Sequence, residues 1–352
     1  MKFRPTVIYL SLISVLLFLT ACNSLVFLPS GSHEKNPYPS TSITGVIPWG
    51  AGGSTDSLAR AITPLVEEEL GQSIVLTNKP GGSSAIGTHY VHKQGADGYH
   101  LLFSAENPAL YGVLDISDLG FEDFDPISIY ARGIATVVVP ADSPYQTLDD
   151  LLRDAKARPG KVKMGSTGPG GLPFVVGTMI NSAADTEFNM IPFDGDGPAL
   201  TALLGGHLDA SVTVLSAAIN NAEAGKVRIL TVVNDKPVEE LPNVPPITQS
   251  LPELEKHLPW GPFFGVWVKK DTPEPVKEKL IDAFSKAEQD QTFQSYLDNM
   301  KAVPMNLHGE EAVAYWREWQ STTAWLIHDD GAAKIDPVKL NIPRKQMESE
   351  SR

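Results

Sequence analysis

The stretch VIPWGAGGSTDSLARAI, residues 46–62, passes from an apolar run through a glycine-rich turn into an amphipathic helix. Leu58, Ile62, Leu65, Val66 and Leu70 fall on one helix face, with Arg60, Glu67 and Glu68 off it. Thr55 is placed as the N-cap and Asp56 in the electropositive first turn, Gly71 stops the helix, and Pro64 is expected to kink it. Such a corner favours anions, because peptide N–H groups converge at a helix start that carries about half a positive charge. A nucleotide is excluded. The turn has no lysine to reach β and γ phosphates, and a dinucleotide fingerprint needs a third glycine where Thr55 stands.

The same order of elements recurs. Asn78 runs into Pro80-Gly81-Gly82-Ser83-Ser84, Met164 into Gly165-Ser166-Thr167-Gly168-Pro169-Gly170-Gly171, and Phe193-Asp194-Gly195-Asp196-Gly197-Pro198 precedes another helical pattern. Strand-like runs at 44–47, 73–78, 100–104, 127–130, 136–139, 163–166, 189–192, 210–214 and 229–233 alternate with helical patterns. The helices are expected at 55–70, 84–94, 147–157, 173–181, 197–205, 216–224, 275–289, 291–299 and 309–327. This alternation predicts an α/β fold with mostly parallel sheets flanked by helices. Two glycine turns facing each other could hold a carboxylate without lysine or arginine.

With 352 residues and 42% hydrophobic content the chain can bury a full core, as one large domain or two lobes. A formal net charge of -14 argues against a nucleic-acid partner and against long-range steering of anions, so an anion site has to be built locally. Lys2 and Arg4 precede an apolar run from Val7 to Leu19, too short to span a bilayer comfortably, which takes about 20 residues. Leu19-Thr20-Ala21-Cys22 resembles the lipobox of bacterial lipoproteins, which implies cleavage of residues 1–21 and lipidation of Cys22, the single cysteine. Residues 22–43, rich in Ser, Pro and Asn, read as a flexible tether, and 336–352 as a surface arm or frayed tail.

No catalytic set emerges. Ser166 lacks the glycine two positions earlier that a nucleophile elbow requires, and the eight histidines show no HExxH pair. His89 and His92 could share a helix face and bind a metal, but a solvated face is the expectation; no metal, no cofactor and no enzyme activity are assigned.

The opening motif, Val46 to Asp56, resembles the signature of the substrate-binding proteins of tripartite tricarboxylate transporters, the Bug family of extracytoplasmic solute receptors. Similar motifs follow in order: Leu70-Gly71-Gln72, Asn78-Lys79-Pro80-Gly81, Ile86-Gly87, Asp97-Gly98-Tyr99, Pro159-Gly160-Lys161, Gly165-Ser166, Leu203-Leu204-Gly205-Gly206, Ala224-Gly225-Lys226 and Leu241-Pro242-Asn243-Val244-Pro245. The resemblance runs from about Thr44 to Ile327. It implies a two-lobed periplasmic-binding-protein-like fold with the ligand cleft between lobes, lobe 1 being 44–139 plus 245–335 and lobe 2 being 140–244, with crossings near Pro140 and Asn234. The implied partners are a small organic carboxylate and the integral membrane permease subunits that receive it, with the receptor a monomer held to a bacterial membrane, outside the cytoplasm, by its lipid anchor.

Carried over by position, the implied site comprises Trp49, Gly52, Ser54, Thr55 and Asp56 from the first loop, Ser104, Ala105 and Asn107 after the third strand, Ser166, Thr167, Gly170 and Gly171 from the second lobe, Phe193 and Asp194 opposite, and Phe263. Three positions depart from the family's pattern: Gly171 stands for a Ser or Thr, Asp194 for a Lys or neutral residue, and Thr213 for an Asp. Asp194 and Asp196 add negative charge that disfavours a polyanion such as citrate and favours a monocarboxylate, an amino-bearing acid or a less charged aromatic acid, unless both cap the following helix. A sensor ligand-carrier for a signalling partner and a metal-binding lipoprotein are the alternative functions. Metabolic labelling with a palmitate analogue is expected to tag the wild-type chain and not Cys22→Ser; an unlabelled wild-type chain that stays soluble on fractionation would remove the anchor.

Overall fold

The computed structural model describes residues 38–238 and 241–344. Cys22, the leader and most of the tether lie outside the described residues, and residues from Thr41 form one compact unit. Its first half runs β1 (Ile43–Ile47), α1 (Ser54–Leu70), β2 (Ile74–Asn78), α2 (Ala85–His92), β3 (His100–Ala105), β4 (Phe124–Arg132), β5 (Ala135–Pro140), α3 (Leu148–Ala157), β6 (Lys163–Ser166) and α4 (Leu172–Ala184). The second half runs β7 (Asn189–Pro192), α5 (Asp196–Leu204), β8 (Ala210–Val214), α6 (Leu215–Glu223), β9 (Val227–Val232), β10 (Phe263–Lys269), α7 (Glu274–Gln289), α8 (Gln291–Met300), β11 (Val303–Leu307) and α9 (Gly309–Asp329).

Local chemistry accounts for these boundaries. Helix α1 buries Leu58, Ile62, Val66 and Leu70, continues through an exposed Pro64, and ends at Gly71, whose φ of 66° needs no Cβ and whose N–H reaches Glu67 O. Its N-cap is Gly53, and Thr55 already lies inside the helix. Helix α3 starts on a capping box in which Thr147 Oγ1 accepts from Asp150 N (3.2 Å) and Asp150 Oδ2 accepts from Thr147 N (3.1 Å). Among the described residues, no helix is long and apolar enough to cross a membrane.

The strands form two sheets, a six-stranded one in the order β11-β4-β10-β3-β1-β2 and a five-stranded one in the order β7-β6-β8-β5-β9. Strand directions are mixed rather than mostly parallel. The β1, β2 and β3 pairings and the β6, β7 and β8 pairings are parallel, whereas β10, β4 and β11, and β5 with its neighbours, run antiparallel. The chain passes from one sheet to the other between β4 and β5, with only Gly133 and Ile134 between them. The sheet crossings therefore sit elsewhere than expected. One is at Gly133-Ile134 rather than Pro140, and the return lies between Pro246, still bridged to Val232, and Phe263 rather than near Asn234. The crossings touch: Gly133 N donates to Pro262 O (2.8 Å), and a Cβ on Gly261 would strike Gly133 O. Trp319 Nε1 fastens Gly261 O (2.9 Å) to α9.

Strand β10 is central and buried, and Phe263 and Trp267 anchor one aromatic cluster: Phe263 packs edge-on to Trp319 and Tyr315, and Phe121 stacks on Trp267 at 4.3 Å between centroids. The described part of the C-terminal segment is docked rather than frayed: Trp325 Nε1 donates to Ile342 O (3.2 Å) and Ser321 Oγ to Pro343 O (2.6 Å).

One buried carboxylate ties three elements together. Glu288 of α7, fully buried, accepts from Ser128 Oγ of β4 and lies 3.2 Å from His308 Nε2 at the start of α9. Burial opposes the imidazolium, but Glu288 outweighs it and His308 titrates above its ordinary value. A raised histidine pKa gives stability that is complete below the unfolded value and fades as the pH rises through the folded one. His308→Ala is expected to lose about 1–3 kcal/mol near pH 6, the scale of a hydrogen bond to a charged group. Denaturant melts should show the difference from wild type shrinking by pH 9; a constant difference would deny the ion pair.

Candidate functional site

The loop between β1 and α1 is held by its own helix. Gly52, at φ +81°, turns the chain so that its N–H donates to Asp56 Oδ2 (3.0 Å). Arg60 Nε and Asn78 Nδ2 both donate to Asp56 Oδ1 (2.9 Å each), and Asn78 Nδ2 also donates to Trp49 O (3.0 Å). Burial opposes the Asp56 charge, but Arg60, the Gly52 N–H and Asn78 prevail and keep its pKa low. Asp56 is thus a brace for the loop.

The turn between β7 and α5 meets this loop across the sheets. Gly50 N donates to Asp194 O (2.5 Å), Ser54 Oγ donates to Asp196 Oδ2 (3.1 Å), and Ser216 Oγ donates to Ser54 Oγ (3.1 Å). The backbones come so close that a Cβ on Gly197 would lie 2.7 Å from Ala51 O, 2.8 Å from Gly52 C and 2.9 Å from Gly53 N.

Beneath this contact is a small cavity. Four helix starts border it: Gly53, Ser54 and Thr55 of α1, Leu172 of α4, Gly195 and Asp196 of α5, and Val214, the N-cap of α6. Trp49, Ala105, Glu106, Asn107, Thr167, Pro262 and Phe264 complete the wall. Among the described residues, no lysine, arginine or histidine lines it. The helix starts supply the positive field instead, at about half a charge each.

Two acids sit in this field. Burial pushes Asp196 up to about 6, against the Ser54 hydroxyl and the Val214 N–H. Burial likewise pushes Glu106 up to about 8, opposed by its own N–H and that of Leu172 and reinforced by the charge of Asp196. Glu106 Oε2, Trp49 Nε1 and Asn107 Nδ2 are all buried without a hydrogen-bond partner.

Of the residues read from sequence, Trp49, Ser54, Thr55, Ala105, Asn107 and Thr167 line the cavity. The others are placed elsewhere for identifiable reasons. Gly52 and Phe193 face an outer groove beside α5 and α6, and Asp56 is the brace. The hydroxyl of Ser104, buried in β3, donates to Ala105 O (3.1 Å); Ser166 Oγ accepts from Gly168 N (3.2 Å). Gly170 packs near Leu114 and Leu110, and Gly171 is the α4 N-cap, lying against Thr167 Oγ1, where a Cβ would collide. The Asp194 side chain is exposed and only its carbonyl joins the contact, while Phe263 is consumed by the aromatic core. Sequence reasoning missed Gly53, Glu106, Leu172, Gly195, Val214, Pro262 and Phe264 and weighed Asp196 chiefly as a cap. A signal for Glu106 existed: it is a lone charge inside the run Ser104-Ala105-Glu106-Asn107-Pro108-Ala109-Leu110. His89 bonds Ser117 Oγ (2.8 Å) and His92 sits edge-on to Phe124; no metal-holding cluster of three His, Cys, Asp or Glu occurs among the described residues.

Two sheets, crossed twice by the chain and enclosing a cavity between their loops, define a two-lobed solute-binding fold. The model of the tripartite tricarboxylate transporter family receptor matches residues 58–330, and the chain belongs to that family. It is 30% identical over 320 residues to the UPF0065 protein in the gbd 5′ region of Cupriavidus necator, covering 90% of this chain and 95% of that one. Among solved structures it is similar to the periplasmic binding protein BugD (TM-score 0.79, 27% identity, covering 84% of this chain and 99% of that one). It is also similar to Rpa4515 of R. palustris with adipate (TM-score 0.78, 25% identity, covering 84% and 99%).

The raised pKa of Glu106 means that the folded state keeps a proton which the unfolded chain releases above its value of 4.5. Its contribution to stability is therefore complete at low pH and falls away as the pH climbs toward about 8. Glu106→Gln, neutral throughout, is expected to melt higher than ligand-free wild type near pH 8.5 and to lose that advantage near pH 4.5. Differential scanning calorimetry decides it, and an advantage independent of pH would refute the desolvated site.

Proposed function

We propose that this protein is an extracytoplasmic receptor, lipid-anchored through Cys22, that encloses a small organic carboxylate between its two sheets and passes it to the membrane permease of a tripartite system. The observation that carries the reading is the meeting of four helix starts on one cavity where the indole N–H of Trp49 and the amide of Asn107 have no partner. Unpartnered buried donors in a positive field ask for an anionic acceptor, and a planar carboxylate has two oxygens to give. The similarity to a receptor seen with adipate agrees with that chemistry. Thr167, also on the cavity wall, would contribute a further donor.

The Gly197 contact supplies a handle on enclosure that leaves the cavity wall intact. Alanine suits α5, yet its Cβ would meet the backbone of the opposite loop, so Gly197→Ala should hold the loops apart. Titration calorimetry against mono- and dicarboxylates, adipate included, is expected to find a binder. Gly197→Ala should weaken it, and Thr167→Ala should cost about 1.5–3 kcal/mol, roughly ten- to a hundredfold in Kd. If no carboxylate binds, or if both variants bind like wild type, the reading is wrong.

A further inference from the structure

We infer that Tyr111, which does not line the cavity, is a positioning residue for its closure: the Tyr111 hydroxyl holds together a cradle on the six-stranded side that receives the Thr167 loop of the five-stranded side. The inference rests on the reading of an enclosed ligand, but not on that ligand's chemistry. Between β2 and α2, four consecutive residues, Gly81, Gly82, Ser83 and Ser84, hold φ angles of 117°, 59°, 52° and 76°. Glycine takes such angles freely, whereas serine does so at a cost that its surroundings have to offset. Tyr111 provides the offset. Its O–H donates to Ser83 O (3.1 Å), so its oxygen is the acceptor for Ser84 Oγ, and Ser84 and Tyr111 are both fully buried. Ser84 is the N-cap of α2, yet its hydroxyl caps no helix amide and goes to Tyr111 instead. One turn on, Thr88 Oγ1 donates to Ser84 O (3.0 Å).

The turn braced by Tyr111 meets the other half of the protein. Ser83 lies against Gly168, where a Cβ would stand 2.5 Å from Ser83 Oγ. A Cβ on Gly170 would stand 3.0 Å from Leu114 Cδ1 and 3.7 Å from Leu110 Cβ, and a Cβ on Gly171 would stand 3.2 Å from Asn107 Nδ2. The loop at 167–171, which brings Thr167 to the cavity wall, is thus received by two segments of the six-stranded side, the turn at 81–84 and the stretch 107–114. Tyr111 belongs to the second segment and bonds the first. His89 Nε2 of α2 adds a tie to Ser117 Oγ (2.8 Å) just beyond it. All of these bonds lie within one half of the molecule, so the cradle is set before the halves meet, and a preformed surface loses less freedom on contact. Without the Tyr111 hydroxyl, Ser84 Oγ and Ser83 O lose this partner, the two left-handed serines are no longer braced, and Ser83 withdraws from Gly168.

A covalent trap tests this. Cys22 is the single cysteine, so Cys22→Ser leaves a full chain free of thiols, to which Ser83→Cys and Gly168→Cys are added. The Cβ of Ser83 and a Cβ on Gly168 would be 3.7 Å apart, within the span of about 3.5–4.5 Å that a disulfide bridges. With oxidised glutathione as the oxidant, the rate of cross-linking in the ligand-free chain, read by mass spectrometry after thiol blocking, reports how readily the halves meet in this register. Tyr111→Phe keeps the ring, removes the hydroxyl and is expected to slow cross-linking about two- to tenfold, the scale of one lost hydrogen bond. His308→Ala, beside the β11 edge of the six-stranded sheet and so opposite the β2 edge, lowers stability but should leave the rate unchanged. Should cysteine at the left-handed Gly168 prevent folding, Leu110→Cys with Gly170→Cys, whose Cβ atoms would also be 3.7 Å apart, reads the other wall of the same cradle. A cooperatively folded pair that fails to cross-link, a rate indifferent to Tyr111→Phe, or a rate slowed equally by His308→Ala overturns the inference. Succinate and adipate added to the trap address the receptor reading separately: acceleration supports it, and acceleration by neither counts against it while Tyr111 keeps its part in bringing the halves together.

Discussion

Four helices begin at one cavity whose described wall has no basic side chain, and this convergence sets most of the remaining structure. Helix starts act over a short range, so the loops that deliver them must bring backbone rather than side chains to the cavity wall. That requirement accounts for glycine in both facing turns: Gly52 for a left-handed residue, Gly197 for an approach that a methyl group would block. It also accounts for Asp56, whose carboxylate, held charged by Arg60, Asn78 and the Gly52 N–H, fixes the first loop before any ligand arrives. An ordered loop loses less conformational freedom on binding than a loose one, which favours affinity without adding a contact.

The same convergence makes the internal acids tolerable. Glu106 stays neutral near neutral pH, because burial and the nearby Asp196 outweigh the first turn of α4, and Asp196 in turn receives the Ser54 hydroxyl. The cavity wall therefore mixes unpartnered donors, on Trp49 and Asn107, with two buried acids.

The sequence was most informative where local rules decide the outcome. Periodicity and glycine stops placed α1 and its neighbours within a few residues, since helix ends depend on groups close in the chain. Strand β10 escaped notice because Phe263 to Val268 is apolar throughout and shows no alternation, as befits a strand buried on both faces. Strand β11 carries Pro304 and lies at a sheet edge, where pattern signals are weakest. Missing β10 also misassigned the cavity aromatic: successive strand residues face opposite ways, so Phe263 enters the core and Phe264 the wall. Thr167 and Asn107 were legible from motif position. Glu106 and Asp196 acquire their character from burial between elements distant in sequence, which no local pattern records.

The crossing at Gly133 and Pro262 has a mechanical consequence. Both connections between the sheets pass through one spot, joined peptide to peptide and fastened to α9 by Trp319. With two connecting segments that touch, sliding of one half along the other is resisted while twisting and opening about that spot are not. A small angular change there becomes a much larger excursion at the lobes' outer rims. Occupancy of a cavity a few ångströms wide would thus be written on the molecule's exterior at a scale that another protein can read.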